Sequence, residues 1–199
     1  MAKQEKRKAP PIEDLTRIAA ENPDSPEAHM KLGTAWLQAG SAKRAEEALR
    51  RAVELKPDYD EAWVNLGGIL LGRWDFEGCI DINRKVAERN PDMLQAHYNM
   101  GLGYLYQNQA AEMVACFERV VEIDPDHPGG HYHIAVGLLE LGKLNEARAA
   151  LAKATALGYS PAPEFIRELE RKSAGDGKAS TAGGTVGPEQ DVSNTEKED

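Results

Sequence analysis

The chain has 199 residues, 41% of them hydrophobic and 29% charged, with a formal charge of −9. That length suits one domain with tails and supports a sizeable core, while the acidic balance excludes the basic stripe of a nucleic-acid reader. No run approaches the about 18–20 consecutive apolar residues of a membrane span.

Residues 1–10 carry Lys3, Lys6, Arg7 and Lys8 and no apolar stretch. They read as a flexible basic arm, a solvated terminus rather than a secretory leader. Cys79 and Cys116 are too few for a disulfide framework in a chain of this length. With no leader, the expected compartment is a reducing cytoplasm.

The first helical pattern covers 11–21, with Ile12, Leu15, Ile18 and Ala19 as its buried stripe, and Asn22-Pro23-Asp24 follows it. Within 27–39, Met30, Leu32, Gly33, Trp36 and Leu37 recur at helical spacing. A break at Gly40 precedes a second helical set, Ala45, Ala48, Leu49, Ala52 and Val53, which closes at Pro57. Proline stops that helix because it lacks an amide donor and clashes with the preceding turn.

The phrase then repeats. Pro57, Pro91 and Pro125 stand 34 residues apart, closing Val-Glu-Leu-Lys-Pro-Asp, Ala-Glu-Arg-Asn-Pro-Asp and Val-Glu-Ile-Asp-Pro-Asp. Gly33, Gly67 and Gly101 share the period, each after a large apolar residue (Leu32, Leu66, Met100), and the fourth frame has Ile134-Ala135. The frames are 26–59, 60–93, 94–127 and 128–161. Each hairpin alone cannot bury its apolar face, so neighbours must stack. Between the two helices of a frame stand Gly40, Asn108 and Gly142, types that tolerate a left-handed backbone, but the second frame has Trp74. The expectation is that its first helix ends early at Gly72, leaving Trp74 packed on Phe76 over the hairpin tip. After the repeats, 163–172 reads as a capping helix with Phe165, Ile166 and Leu169 on one face. From Ser173 to Asp199 no apolar period is visible, and the segment reads as a disordered acidic tail.

These residues resemble the tetratricopeptide repeat family, whose pattern is roughly Trp-x2-Leu-Gly-x2-Tyr, then Ala, Phe and Pro. The second frame supplies Trp63, Leu66, Gly67 and Pro91; the third supplies His97, Met100, Gly101, Tyr104, Phe117 and Pro125. The fourth departs at Tyr159, where the proline belongs. The resemblance implies an all-α protein, a right-handed α-solenoid of stacked antiparallel helix pairs: four repeats plus capping helices over 11–172.

No catalytic, cofactor or metal site emerges. His29, His97 and His131 occupy the family's large-residue position, where Trp63 also sits, and read as packing or hydrogen-bonding groups. His131 and His133 point to different helix faces, and neither Cys79 nor Cys116 belongs to a CxxC. No P-loop, GxGxxG or nucleophile elbow is present.

In the resembling family the first helix of each repeat lines a concave groove that receives a peptide or helix. Carried over, the candidate groove residues are Met30, Lys31 and Thr34; Val64 and Asn65; Tyr98, Asn99, Leu102 and Tyr106; then Tyr132, His133 and Val136. Some members hold acidic chaperone tails with a lysine and asparagine clamp. Here Asn65 matches the middle asparagine, but Met30, Thr34 and Gln95 stand where other clamp residues belong. The remaining wall is apolar and tyrosine-rich, suited to an amphipathic or apolar segment of a protein partner. Two alternatives stay open: a self-assembling homo-oligomeric scaffold, and, more remotely, an enzyme subunit holding metal at His131 and His133.

Overall fold

A computed structural model describes residues 10–181, with side chains as far as residue 174. Among these, every regular element is an α-helix: α1 (Ile12–Glu21), α2 (Pro26–Gln38), α3 (Ala42–Leu55), α4 (Asp60–Gly72), α5 (Phe76–Arg89), α6 (Leu94–Tyr106), α7 (Ala110–Ile123), α8 (Pro128–Glu140), α9 (Leu144–Ala156) and α10 (Pro163–Thr181). The chain divides into two units at Ser160 and Pro161. No described helix is long and apolar enough to cross a membrane.

In the first unit α2 pairs with α3, α4 with α5, α6 with α7 and α8 with α9, and each second helix packs on the first helix of the next pair. This is an α-solenoid, with α1 packed on α2 ahead of the repeats. The first helices begin at Pro26, Asp60, Leu94 and Pro128, keeping the 34-residue step. Side-chain caps mark the starts of α2, α5 and α8. Ser25 Oγ accepts from Ala28 N–H (3.2 Å), Asp75 Oδ1 from Gly78 N–H (2.9 Å) and His127 Nδ1 from Gly130 N–H (2.9 Å), satisfying donors that have no partner inside the helix.

A second device recurs at the same period. The ring N–H of Trp63 donates to the Pro57 carbonyl six residues earlier (2.8 Å), and Nε2 of His29, His97 and His131 meets the carbonyls of Pro23, Pro91 and Pro125 at 2.9–3.0 Å. A carbonyl only accepts, so each Nε2 carries the hydrogen. These histidines are hydrogen-bonding latches between the inter-repeat loop and the next helix.

The four hairpin turns hold Gly40, Trp74, Asn108 and Gly142, with φ of 74°, 65°, 56° and 73°. The expected early end of α4 is therefore corrected: Gly72 is in register with Gln38, Tyr106 and Glu140, which end the other first helices. Trp74 itself takes the left-handed backbone that glycine and asparagine take elsewhere.

Close helix approach explains the repeated glycine. A Cβ on Gly33 would lie 2.6 Å from Leu49 Cγ, and one on Gly101 would lie 2.7 Å from Phe117 Cε2. Leu49 and Phe117 are fully buried, as are Ala45, Ala52, Ala62 and Ala147. At the corresponding place in the second repeat, Gly67 faces the fully buried Asn83. Cys79 and Cys116 are free and buried, and burial pushes both thiols up to about 11.

Two details differ from the expected pattern. On α1, Leu15 and Ala19 are buried but Ile18 is 40% exposed. In the second unit α10 passes Lys172 and runs to Thr181. Nothing in 173–181 forces a stop: Ser173 Oγ donates back to Leu169 O (2.7 Å), and glycine weakens a helix by only about 1 kcal/mol. On α10 Leu169 is buried, Phe165 half-buried and Ile166 exposed. The basic arm, except Pro10, and the tail beyond Thr181 lie outside the described residues.

Candidate functional site

The first helices α2, α4, α6 and α8 are joined side by side through the residues singled out in the sequence. Asn65 Nδ2 on α4 reaches Thr34 Oγ1 (3.5 Å) and Met30 Sδ (3.6 Å) on α2. Asn99 Nδ2 on α6 donates to the Val64 carbonyl on α4 (3.1 Å). Tyr98 on α6 meets the His133 ring on α8 edge-on, centroids 6.0 Å apart. Met30, Thr34, Val64, Asn65, Tyr98, Asn99 and His133 are thus brought into one continuous strip.

Much of that strip holds the repeats to each other. Val64 and Asn99 are buried. Asn99 accepts from Gln95 Nε2 (3.0 Å) and also donates to Asn83 Oδ1 (3.4 Å). His133 stacks on Phe117 (4.5 Å, 19°), and its Nδ1 is buried without a hydrogen-bond partner. Burial, with a smaller contribution from nearby His127, lowers its pKa to about 4, so at neutral pH it is an uncharged ring. Burial likewise raises the Tyr98 and Tyr132 hydroxyls. Tyr132 stacks on Tyr159 (4.3 Å), the residue that replaces the expected fourth proline. Val136 lines a small cavity of about 90 Å³ with Leu105 and Met113. Leu102 is half-buried, and Tyr106 turns to the hairpin tip, stacking on Phe76 (4.9 Å).

The large opening lies at the other end of the strip. A cleft of about 600 Å³ is lined by Ile12 and Leu15 of α1, Met30, Lys31, Thr34 and Ala35 of α2, and Tyr59 from the following loop. Met30, Lys31 and Thr34 were expected in a groove along the first helices; here they form one wall of a cleft whose opposite wall is α1. The spacing of Ile12 and Leu15 marked them as apolar without showing that they leave a gap against α2. Among the described residues no group of three or more His, Cys, Asp or Glu could hold a metal ion.

Three family models, each described as a tetratricopeptide repeat, match residues 12–60, 37–102 and 94–127. The chain belongs to the tetratricopeptide repeat family. Its repeats give it a protein-interaction scaffold. Solved structures agree on the architecture. A crystal structure of MamA is 21% identical, with a TM-score of 0.66 over 82% of this chain and 89% of that one. MamA 41-end from Desulfovibrio magneticus RS-1 is also 21% identical, with a TM-score of 0.62 over 80% of this chain and 84% of that one. At such identity the likeness is one of fold. No curated protein matches the sequence.

Proposed function

We propose that this tetratricopeptide repeat chain is a non-enzymatic adaptor that holds an apolar or amphipathic segment of a partner polypeptide, anchored in the cleft between α1 and α2. The observation that carries the reading is the cleft itself: about 600 Å³ of open, mainly apolar space, with Lys31 as its charged member. Ligand pockets span about 300–1,000 Å³ and combine apolar walls with a few polar groups. From there the segment runs along the strip past Asn65, Tyr98 and Leu102 toward Tyr132 and Val136, where the half-buried Tyr98 and Tyr132 rings offer their remaining surface at low entropic cost. An amphipathic helix lays its i, i+3, i+4 and i+7 side chains into such a groove.

Peptide display against the full chain tests this. Selected peptides are expected to carry apolar residues at helical spacing and to lose about tenfold in affinity for Ala35→Trp, which fills the cleft. Leu102→Glu is expected to weaken the longer peptides only. Selected binders whose affinity neither substitution changes would overturn the reading.

A further inference from the structure

The hairpin position that is Gly40, Asn108 and Gly142 in three repeats is Trp74 in the second, held at φ 65°. A bulky side chain in the left-handed region is a rare conformation that glycine or asparagine adopts with less strain. Burial gives no reason for it, because Trp74 is 74% exposed. Beside it stands Tyr106, itself 53% exposed. Phe76 lies beneath them, stacked on Tyr106 at 4.9 Å and meeting Trp74 edge-on at 5.9 Å, while Trp74 and Tyr106 are 5.9 Å apart and tilted by 53°. The three rings hold one another in place, so the exposed aromatic surface is organised before anything binds.

Charge says what fits it. Next to Phe76 and Tyr106 in sequence are Glu77 and Gln107, which line a depression of about 500 Å³ with Asp81, Arg84 and Glu112. Arg84 is committed to Asp81 (2.9 Å) and Tyr104 Oη (3.1 Å), and Arg73 to Glu46. Among the described residues neither Glu77 nor Glu112 has an ion-pair partner. Aromatic faces beside unneutralised carboxylates attract cations, and a guanidinium satisfies both at once by stacking on a ring while donating to a carboxylate. The chain already makes that contact once internally, with Arg44 4.6 Å over the Trp36 ring.

We propose that Trp74, Phe76 and Tyr106, with Glu77 and Glu112 in the depression that begins at the residues following Phe76 and Tyr106, form a second docking surface, for an arginine-bearing basic segment of a partner polypeptide. This surface is separate from the cleft between α1 and α2 and stands whether or not that cleft binds a peptide.

The test uses the full chain and two short fluorescein-labelled peptides, one alternating arginine with glycine and the other lysine with glycine, followed by anisotropy. The arginine peptide is expected to bind, and Trp74→Gly to weaken it by about tenfold. Helical content and melting temperature should be retained, because glycine suits that backbone. Glu77→Gln with Glu112→Gln should weaken binding and flatten its salt dependence, and the lysine peptide should bind severalfold less tightly. No binding of either peptide, equal binding by Trp74→Gly, or equal affinity for both peptides would overturn the proposal. Concentration-dependent dimerisation abolished by Trp74→Gly but not displaced by the arginine peptide would also overturn it, assigning the rings to a contact between copies.

Discussion

Two junctions between repeats set the same pair of positions against each other and fill them with opposite chemistry. Between the second and third repeats, Asn83 of α5 meets Asn99 of α6 through an amide hydrogen bond (3.4 Å). One period later, Phe117 of α7 meets His133 of α8 ring on ring (4.5 Å). The amide pair is bonded further, Asn83 Nδ2 donating to Cys79 O (2.8 Å) and Asn99 Nδ2 to Val64 O (3.1 Å). The ring pair leaves His133 Nδ1 buried and unbonded. A buried polar group is costly when unpaired, so the amide junction is satisfied while the ring junction carries one unpaired nitrogen, and the same frame holds both. The difference teaches that glycine and proline punctuation sets the backbone of this fold, while the filling between helices can specialise.

The largest effect should come from breaking the aromatic junction. Phe117→Ala removes a fully buried ring that packs on Tyr98, His133 and the Gly101 backbone, and should cost about 3–5 kcal/mol in chemical denaturation. A cost near 1 kcal/mol would mean that the neighbouring helices collapse into the space.

Acid should separate the two junctions next. His133 takes its proton only near pH 4 in the folded chain against 6.5 as the reference value. Between those values the unfolded chain binds more protons, so this contribution is fully present above pH 6.5 and is lost as pH falls through 4. The loss is at most roughly 3–4 kcal/mol. Denaturation of His133→Phe across that window should show a flatter dependence than the native chain, and parallel curves would remove His133 as the cause.

The smallest effect belongs to the amide junction. Asn83→Ala leaves a void and strips an acceptor from Asn99, at about 2 kcal/mol. Asn83→Leu, which copies the Leu49 solution facing Gly33, strips the same acceptor but leaves no void and should cost about 1 kcal/mol less than Asn83→Ala. Equal costs for the two substitutions would show that the filling is not interchangeable between repeats.

Much of the fold was legible because its signals are local. Pro57, Pro91 and Pro125 announce the loops, and Gly40, Asn108 and Gly142 announce the hairpins by backbone chemistry alone. His29, His97 and His131 read as packing or hydrogen-bonding groups because they share a position with Trp63, and the bonds to the proline carbonyls show which hydrogen bond that is. What stayed hidden depends on neighbours distant in sequence. Asn83 carries no motif signal, and only the fold closes Gly67 and Asn99 around it; Tyr106 looks like a groove residue until Phe76 captures it. The cleft was not legible: Met30, Lys31 and Thr34 were assigned to a groove along the first helices, and the cleft's other wall depends on how α1 packs, which no spacing specifies. Trp74 was read as a hairpin cover packed on Phe76, and it does touch that ring. Its left-handed backbone could not be read from a residue type that normally avoids it.

The buried thiols have a practical consequence for the two junctions. Cys79 lies on α5 and Cys116 on α7, one in each second helix on which the compared junctions are built. With both pKa values near 11, thiolate chemistry is suppressed while the repeats stay closed. Alkylation of the native chain therefore clocks the opening of each repeat separately, with no label introduced. Peptide mapping of the two modified sites over time would show whether the solenoid opens as a unit or repeat by repeat.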